Sequence, residues 1–251
     1  MASSNGSVDR VLLLVACRRL EEAETLAKER LAQTLAADPV DRLAAARATK
    51  TLADVQLELD NHAEATRQTF EARRRYRPFR NSPTLSAEVD LTLAQFAVHD
   101  DRSLEGEQIL ADATERVQNL PGAELEYAKL VRYAAHLQIT RGEFKKGDAL
   151  VGEAVAAVQR AVHAERASGK GVSSNTLLLL SQYLFTQGES AFMVEDVDRA
   201  RNATRAALDL TETELHTMPE YVQFCRARAE NADRIFNDPE RLRILQMKEE
   251  S

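Results

Sequence analysis

The chain has 251 residues, 44% hydrophobic and 29% charged, with 5% aromatic residues and no Trp, a composition that suits a water-facing globular protein with a core of Ala, Leu and Val. Its net charge of −7 argues against general affinity for nucleic acid, because phosphate binding needs a positive surface, and no stretch approaches the length of a membrane span. The two cysteines, Cys17 and Cys225, have neither metal nor disulfide spacing, which points to two buried thiols in a reducing, cytoplasmic setting.

In chain order, Ser7 can cap a short helix through Cys17. That stretch contains VLLLVAC, and its end, Leu14-Val15-Ala16-Cys17, resembles the cleavage site of bacterial lipoproteins. The flanks argue against lipidation at Cys17: the apolar run is six residues long, and Asp9 beside Arg10 leaves no net positive charge ahead of it. A first helix packed on the next repeat is the stronger reading. Leu20 to Leu35 carries Leu20, Ala23, Leu26, Ala27, Leu31 and Leu35 at helical spacing, and Asp38-Pro39 is expected to open the third helix, with proline in its first turn.

The stretch from Leu52 to Ala72 reads as a helical hairpin turning at Asp60-Asn61. Pro78 and Ser82-Pro83 end it, and Thr84 to Val98 starts the next pair, turning at Asp100-Asp101-Arg102-Ser103 and running to Leu120-Pro121-Gly122. Glu124 to Thr140 and Glu143 to Arg166 form a further pair around Arg141-Gly142. The segment from Ala167 to Ser174, ASGKGVSS, reads as a linker that lengthens one repeat. Asn175 to Met193 and Asp196 to Leu215 make the last pair, followed by a helix from Pro219 to Phe236 and a polar terminal one, RLRILQMKEE, suited to capping the stack. No strand pattern appears.

A triplet of small residues unites these hairpins. Ala53, Ala65 and Ala72 recur as Ala94, Gly106, Ala113, as Ala135, Gly147, Ala154, and as Gly188, Ala200, Ala207. Two members seven apart share one helix face, and the third lies across the turn, so these positions let two backbones cross closely. In a first, degenerate copy, Val11, Ala23 and Arg30 occupy the three places. The anchors Ala23, Ala65, Gly106, Gly147 and Ala200 are separated by 42, 41, 41 and 53 residues. The expected fold is an all-α solenoid of about eleven or twelve helices in stacked antiparallel pairs. One domain spans 1–251, with repeats near 7–37, 39–77, 83–120, 121–167 and 174–216 and capping helices over 219–249.

This arrangement resembles the tetratricopeptide family, whose two-helix repeats keep a small residue late in the first helix and two small residues seven apart in the second. The turn Arg141-Gly142-Glu143-Phe144 is similar to the family's Gly-acid-aromatic turn. The period of 41 or 42 exceeds the family's 34, no Trp marks the first helix, and Thr69, Leu110, Val151 and Thr204 stand where the second-helix aromatic would be. Helices about a turn longer explain the period, as in the long-helix tetratricopeptide-like sensors of bacteria; HEAT repeats are the alternative of similar length.

The resemblance implies a right-handed superhelix whose first helices line a concave groove that binds peptides or protein segments. Residues expected to face it are Arg47 and Lys50, then Leu91, Gln95 and Val98, then Lys129, Arg132 and His136, and finally Phe185 and Phe192. Their basic and apolar character suits an acidic partner segment. Asp54, Gln95, His136 and Glu189 stand where clamping relatives use Asn, so a carboxylate clamp is not supported. Outside the groove, Arg73, Arg74, Arg75, Arg77 and Arg80 interleave with Tyr76 and Phe79. They suit a helix C-terminus, where cations complement the dipole, with a secondary docking patch as the alternative.

No catalytic or cofactor motif emerges. The five histidines are never within four residues of one another, so no helical metal pair exists. Ser168-Gly169-Lys170-Gly171 lacks the upstream glycine and the following Ser or Thr of a phosphate loop. A noncatalytic interaction scaffold is therefore expected, with a ligand- or peptide-sensing regulatory domain as the alternative.

Overall fold

The computed structural model describes residues 9–37, 39–79, 81–99, 101–169 and 171–238. The regular structure among them is helical: α1 (Arg10–Ala16), α2 (Leu20–Ala36), α3 (Arg42–Glu58), α4 (His62–Tyr76), α5 (Pro83–His99), α6 (Ser103–Val117), α7 (Glu124–Thr140), α8 (Phe144–Ala167), α9 (Ser174–Met193), α10 (Val197–Glu214) and α11 (Pro219–Phe236). A single 3-10 turn, Arg77–Phe79, follows α4. Eleven α-helices and no strand among the described residues agree with the all-α expectation. Ser7 and the terminal segment RLRILQMKEE lie outside the described residues.

Two compact units form, Asp9–Leu130 and the residues from Val131 onward, with the boundary inside α7. In the first, each helix from α1 to α6 packs on the next as far as α5 on α6; in the second, α8 packs on α9, α9 on α10 and α10 on α11. The apolar run at the N-terminus is consumed in the core of the first unit, where Val11 and Leu14 pack with Ala23, Ala27, Leu52 and Val55. The side chain of Asp9 accepts the Val11 N–H at 2.9 Å, which makes Asp9 the cap of α1. It also receives Arg30 Nη1 at 2.7 Å on both oxygens. Arg30 thus turns the lost third position of the first triplet into an ion pair.

One expected helix start moves. Pro39 precedes α3 instead of opening it, because the Asp41 carboxylate accepts from Leu43 N and Ala44 N at 3.0 Å and fixes the first turn three residues later. Pro83 and Pro219 do occupy first-turn positions, where their missing N–H costs nothing.

The five hairpin turns share one geometry. Arg18, Asp60, Asp101, Gly142 and Glu195 all have left-handed φ, between 57° and 80°, and each lies five residues before its repeat anchor. The following N–H returns to the first helix in every case: Arg19 to Leu14 O, Asn61 to Gln56 O, Arg102 to Ala97 O, Glu143 to Gln138 O and Asp196 to Ala191 O, at 2.7–2.9 Å. This is a Schellman closure, and the residue that donates is already the N-cap of the second helix.

The triplet positions fall at the crossings. Ala53, Ala94 and Ala135 are fully buried, as are Ala65, Ala113, Ala154, Ala200 and Ala207. A Cβ on Gly106 would sit 2.8 Å from Ala94 O; one on Gly147 would sit 2.5 Å from Ile139 Cγ1, and one on Gly188 2.5 Å from Thr204 Oγ1. Small residues here are a requirement of backbone approach.

The long interval is a correction. The α8–α9 connection, 168–173, has the same length as the α6–α7 connection, 118–123, so ASGKGVSS adds nothing. The twelve additional residues lie in helices: α8 has 24 residues against 15 in α6, and α9 has 20 against 17 in α7. Glu165 ties the outer end, accepting from Ser173 N at 2.6 Å and Thr176 Oγ1 at 2.7 Å.

Candidate functional site

In the first unit, Arg47 on α3 is exposed and Lys50 is half-buried. Lys50 is not a free cation: its Nζ lies 2.5 Å from Asp54 Oδ2, one turn along the helix, and Thr92 Oγ1 donates to the other Asp54 oxygen at 3.3 Å. On α5, Leu91, Gln95 and Val98 are partly exposed, but Val98 leans its Cγ2 over Gly106. Gln95 reaches a small cavity of about 100 Å³ shared with Val11, Val15 and Asp54. Lys129 on α7 is half-exposed.

In the second unit, Arg132 and His136 are exposed. The Arg132 guanidinium lies 5.4 Å from the ring centroid of buried Tyr183, and His136 stacks on Tyr133 at 5.9 Å. Burial raises the Tyr133 hydroxyl to about 12. Of the expected groove residues Phe185 and Phe192, the first is corrected. Phe185 is only 2% exposed and carries the Arg228 guanidinium 4.7 Å above its ring, while Phe192 packs on Phe236 with centroids 5.0 Å apart. Arg228 Nη2 also pairs with Glu189 at 2.6 Å, and Tyr221 OH donates to Ser181 Oγ at 3.2 Å. Helix α11 covers Phe185 on this face of α9, whereas Phe192 packs on Phe236 and stays partly exposed.

The secondary patch fares differently. The buried stripe of α4 is Ala65, Thr69, Ala72 and Tyr76, a four-three-four spacing that leaves Phe70 on another side, 60% exposed. Pro78 turns the chain in the 3-10 segment, placing Phe79 opposite the start of α5. Between α4, this turn and α5 lies a cleft of about 500 Å³ lined by Phe70, Arg73, Tyr76, Arg77, Phe79, Leu85, Val89 and Asp90, among others.

Charge in the cleft is unevenly satisfied. Arg74 donates Nε and Nη2 to Glu71 at 2.9 Å, and Arg75 Nε lies 2.9 Å from the same carboxylate without the alignment of a hydrogen bond. The hydrogen bond from Arg74 holds the Glu71 carboxyl below its usual range. Asp90 receives Arg116 and Ser86. Tyr76 OH donates to Glu88 at 2.9 Å, and burial together with the Glu88 charge pushes the tyrosine far up. Every acid at this wall is engaged. Arg73 and Arg77, both exposed, have no ion pair among the described residues; Arg80 lies outside them. The arginine run was visible in the sequence, whereas Phe70 passed as an ordinary apolar residue of a second helix, and only its departure from the Ala65–Tyr76 stripe signals it.

Among the described residues no helix is long and apolar enough to cross a membrane, and no group of three His, Cys, Asp or Glu side chains could hold a metal ion.

No family model matches the sequence, and no curated protein matches it. Among solved structures, the chain is similar to BtubC (BKLC) from P. vanneervenii, with a TM-score of 0.51 and 21% identity over 86% of this chain and 90% of that one. It is also similar to a Signal Transduction ATPase with Numerous Domains (STAND) protein with a tetratricopeptide repeat sensor from Pyrococcus horikoshii, with a TM-score of 0.50 and 15% identity. That match covers 90% of this chain but 30% of the other, so the chain spans under a third of that protein's length. At these identities the likeness is one of fold, and it fits an all-helical repeat architecture.

Proposed function

We propose that this chain is a noncatalytic, cytoplasmic interaction module that binds a segment of another protein, and that the α4–α5 cleft is where it does so. The observation that carries the reading is the exposure of Phe70 beside Arg73 and Arg77, two cations with no ion pair among the described residues. Covering a Phe side chain contributes about 1.5–3 kcal/mol, and interface anchors are commonly aromatic residues and arginine. The first-helix residues are weaker candidates, because Lys50 is neutralised by Asp54, Phe185 is covered by α11 and Phe192 is partly taken up by Phe236.

A photo-crosslinking amino acid placed at Phe70, and separately at Leu91, tests the reading in cells of the native host. The expected result is a discrete protein adduct from Phe70, with the crosslinked peptide mapped to one segment of the partner. Adducts from Leu91 alone would move the site to the first-helix face, and none from either position would remove the reading. Hydrogen exchange on the crosslinked species separates a passive scaffold from a sensor: protection confined to α4 and α5 fits a scaffold, and altered exchange at distant helices fits sensing.

A further inference from the structure

Resting on the reading that the cleft binds a protein segment, we infer that its occupant is acidic and carries one bulky apolar side chain, which inserts between Phe70 and Leu85 while a neighbouring carboxylate meets Arg73 and Arg77. Arg73 and Arg77 stand four residues apart at the end of α4, so their guanidinium groups can address one ligand. Planar guanidinium forks match carboxylates with paired hydrogen bonds. A cleft of about 500 Å³ accepts one large side chain with its flanking backbone.

Charge complementarity selects the partner. Arg74 neutralises Glu71 and Arg116 neutralises Asp90, and Glu88, held by the Tyr76 hydroxyl, is not among the residues that line the cleft, so an incoming acid meets Arg73 and Arg77 with Asp90 already paired. The protein as a whole, with a net charge of −7, repels the same segment. Attraction at one place on a repelling surface localises binding and makes its rate sensitive to salt. A nucleic acid fits less well, since its affinity grows with the number of phosphates neutralised and two free cations supply few contacts.

The test uses the full chain and a fluorescein-labelled synthetic peptide of alternating Asp and Glu around one central Phe, read by fluorescence anisotropy. Comparison probes are the same peptide with Ser for Phe, a Lys/Arg version retaining Phe, and a single-stranded oligothymidylate. Binding of the acidic Phe peptide alone is expected, weakened by salt, with Kd raised about tenfold or more by R73E/R77E and by F70S. A melting temperature equal to that of the parent shows that both variants remain folded.

Equal or tighter binding of the oligonucleotide would overturn the inference, as would no binding of the acidic peptide or a Kd unchanged in R73E/R77E. If the basic or Ser-containing peptide binds in a way that requires Phe70, the acidic partner is wrong and the interaction site stands. If no peptide binds and the crosslinker at Phe70 captures nothing, both fall.

Discussion

Gly106 faces the main chain of α5 so closely that a Cβ on it would lie 2.8 Å from the carbonyl oxygen of Ala94. A backbone atom cannot rotate aside, so G106A must spread the crossing and is expected to destabilise the protein by about 1–3 kcal/mol. That loss arises although alanine is the better helix former. Gly152, inside α8, meets nothing nearer than Gln187 Nε2 at 4.0 Å, and G152A should stabilise by about 0.5–1 kcal/mol. Denaturant unfolding of the two variants should give opposite signs. A neutral G106A would place the crossing elsewhere.

The hairpin turns make a second pair of opposed changes. Gly142 has φ +80°, and a Cβ added there would meet nothing within 4 Å, so G142A tests backbone conformation alone and should cost about 1–2 kcal/mol. Asp101 holds φ 58° without being glycine. Replacing it by glycine relieves the left-handed penalty at the cost of about 0.5–1 kcal/mol of chain entropy, leaving a net gain of at most about 1.5 kcal/mol. Thermal melts check both.

Acid should remove the stabilising effect of one carboxylate. Glu64 accepts from Arg67 at 2.6 and 2.8 Å and from Gln68 at 2.8 Å, and these bonds lower its pKa from the ordinary 4.5 to about 2. Because the folded value is the lower one, its contribution is complete above about 4.5 and is lost as pH falls towards 2. E64Q should flatten the fall of melting temperature with pH across that window. An unchanged slope would mean that the Arg67 pair is open in solution.

The cover on α9 depends on the far end of α11. Phe236 is 3% exposed and packs with Phe192, Val197 and Ile235, so F236A should cost about 3–5 kcal/mol. Hydrogen exchange should show the loss in α9 and α11 together. Deprotection of α11 alone would mean that it is not a cover for α9.

The architecture was legible because close backbone approach admits few residue types: Ala and Gly at fixed spacing marked the crossings, and Ala53, Ala94, Ala135 and Gly188 all proved buried there. The hairpin turns were less legible. Four of the five left-handed positions carry Arg, Asp or Glu, and nothing in such a side chain announces its φ; Gly142 alone did so. The added length of one repeat was put down to a Gly/Ser cluster, which reads as a loop wherever it occurs, although the expected helix from Glu143 to Arg166 already held the extra turns of α8. At the site, composition along one helix could suggest a basic groove, and the spacing of Lys50 and Asp54, one turn apart on α3, already held the ion pair that neutralises the lysine, but nothing along one helix could foresee that a later helix would cover Phe185. Packing across elements decides which side chains remain exposed.

The Schellman turns bear on how such a chain can change length over generations. The left-handed residue of each hairpin is followed directly by the N-cap of the next helix, as at Arg18 and Arg19 or Asp60 and Asn61, so no spare residue exists there. One inserted residue would rotate everything after it by about 100° and carry the small face of the second helix away from its partner. The other end of the hairpin has no such lock. There α8 runs nine residues beyond the length of α6 while its connection to α9 stays at six residues, an extension of about 13 Å at the usual rise per residue. Insertions and deletions in related sequences should accumulate at the open ends of the pairs and be purged at the closed ones.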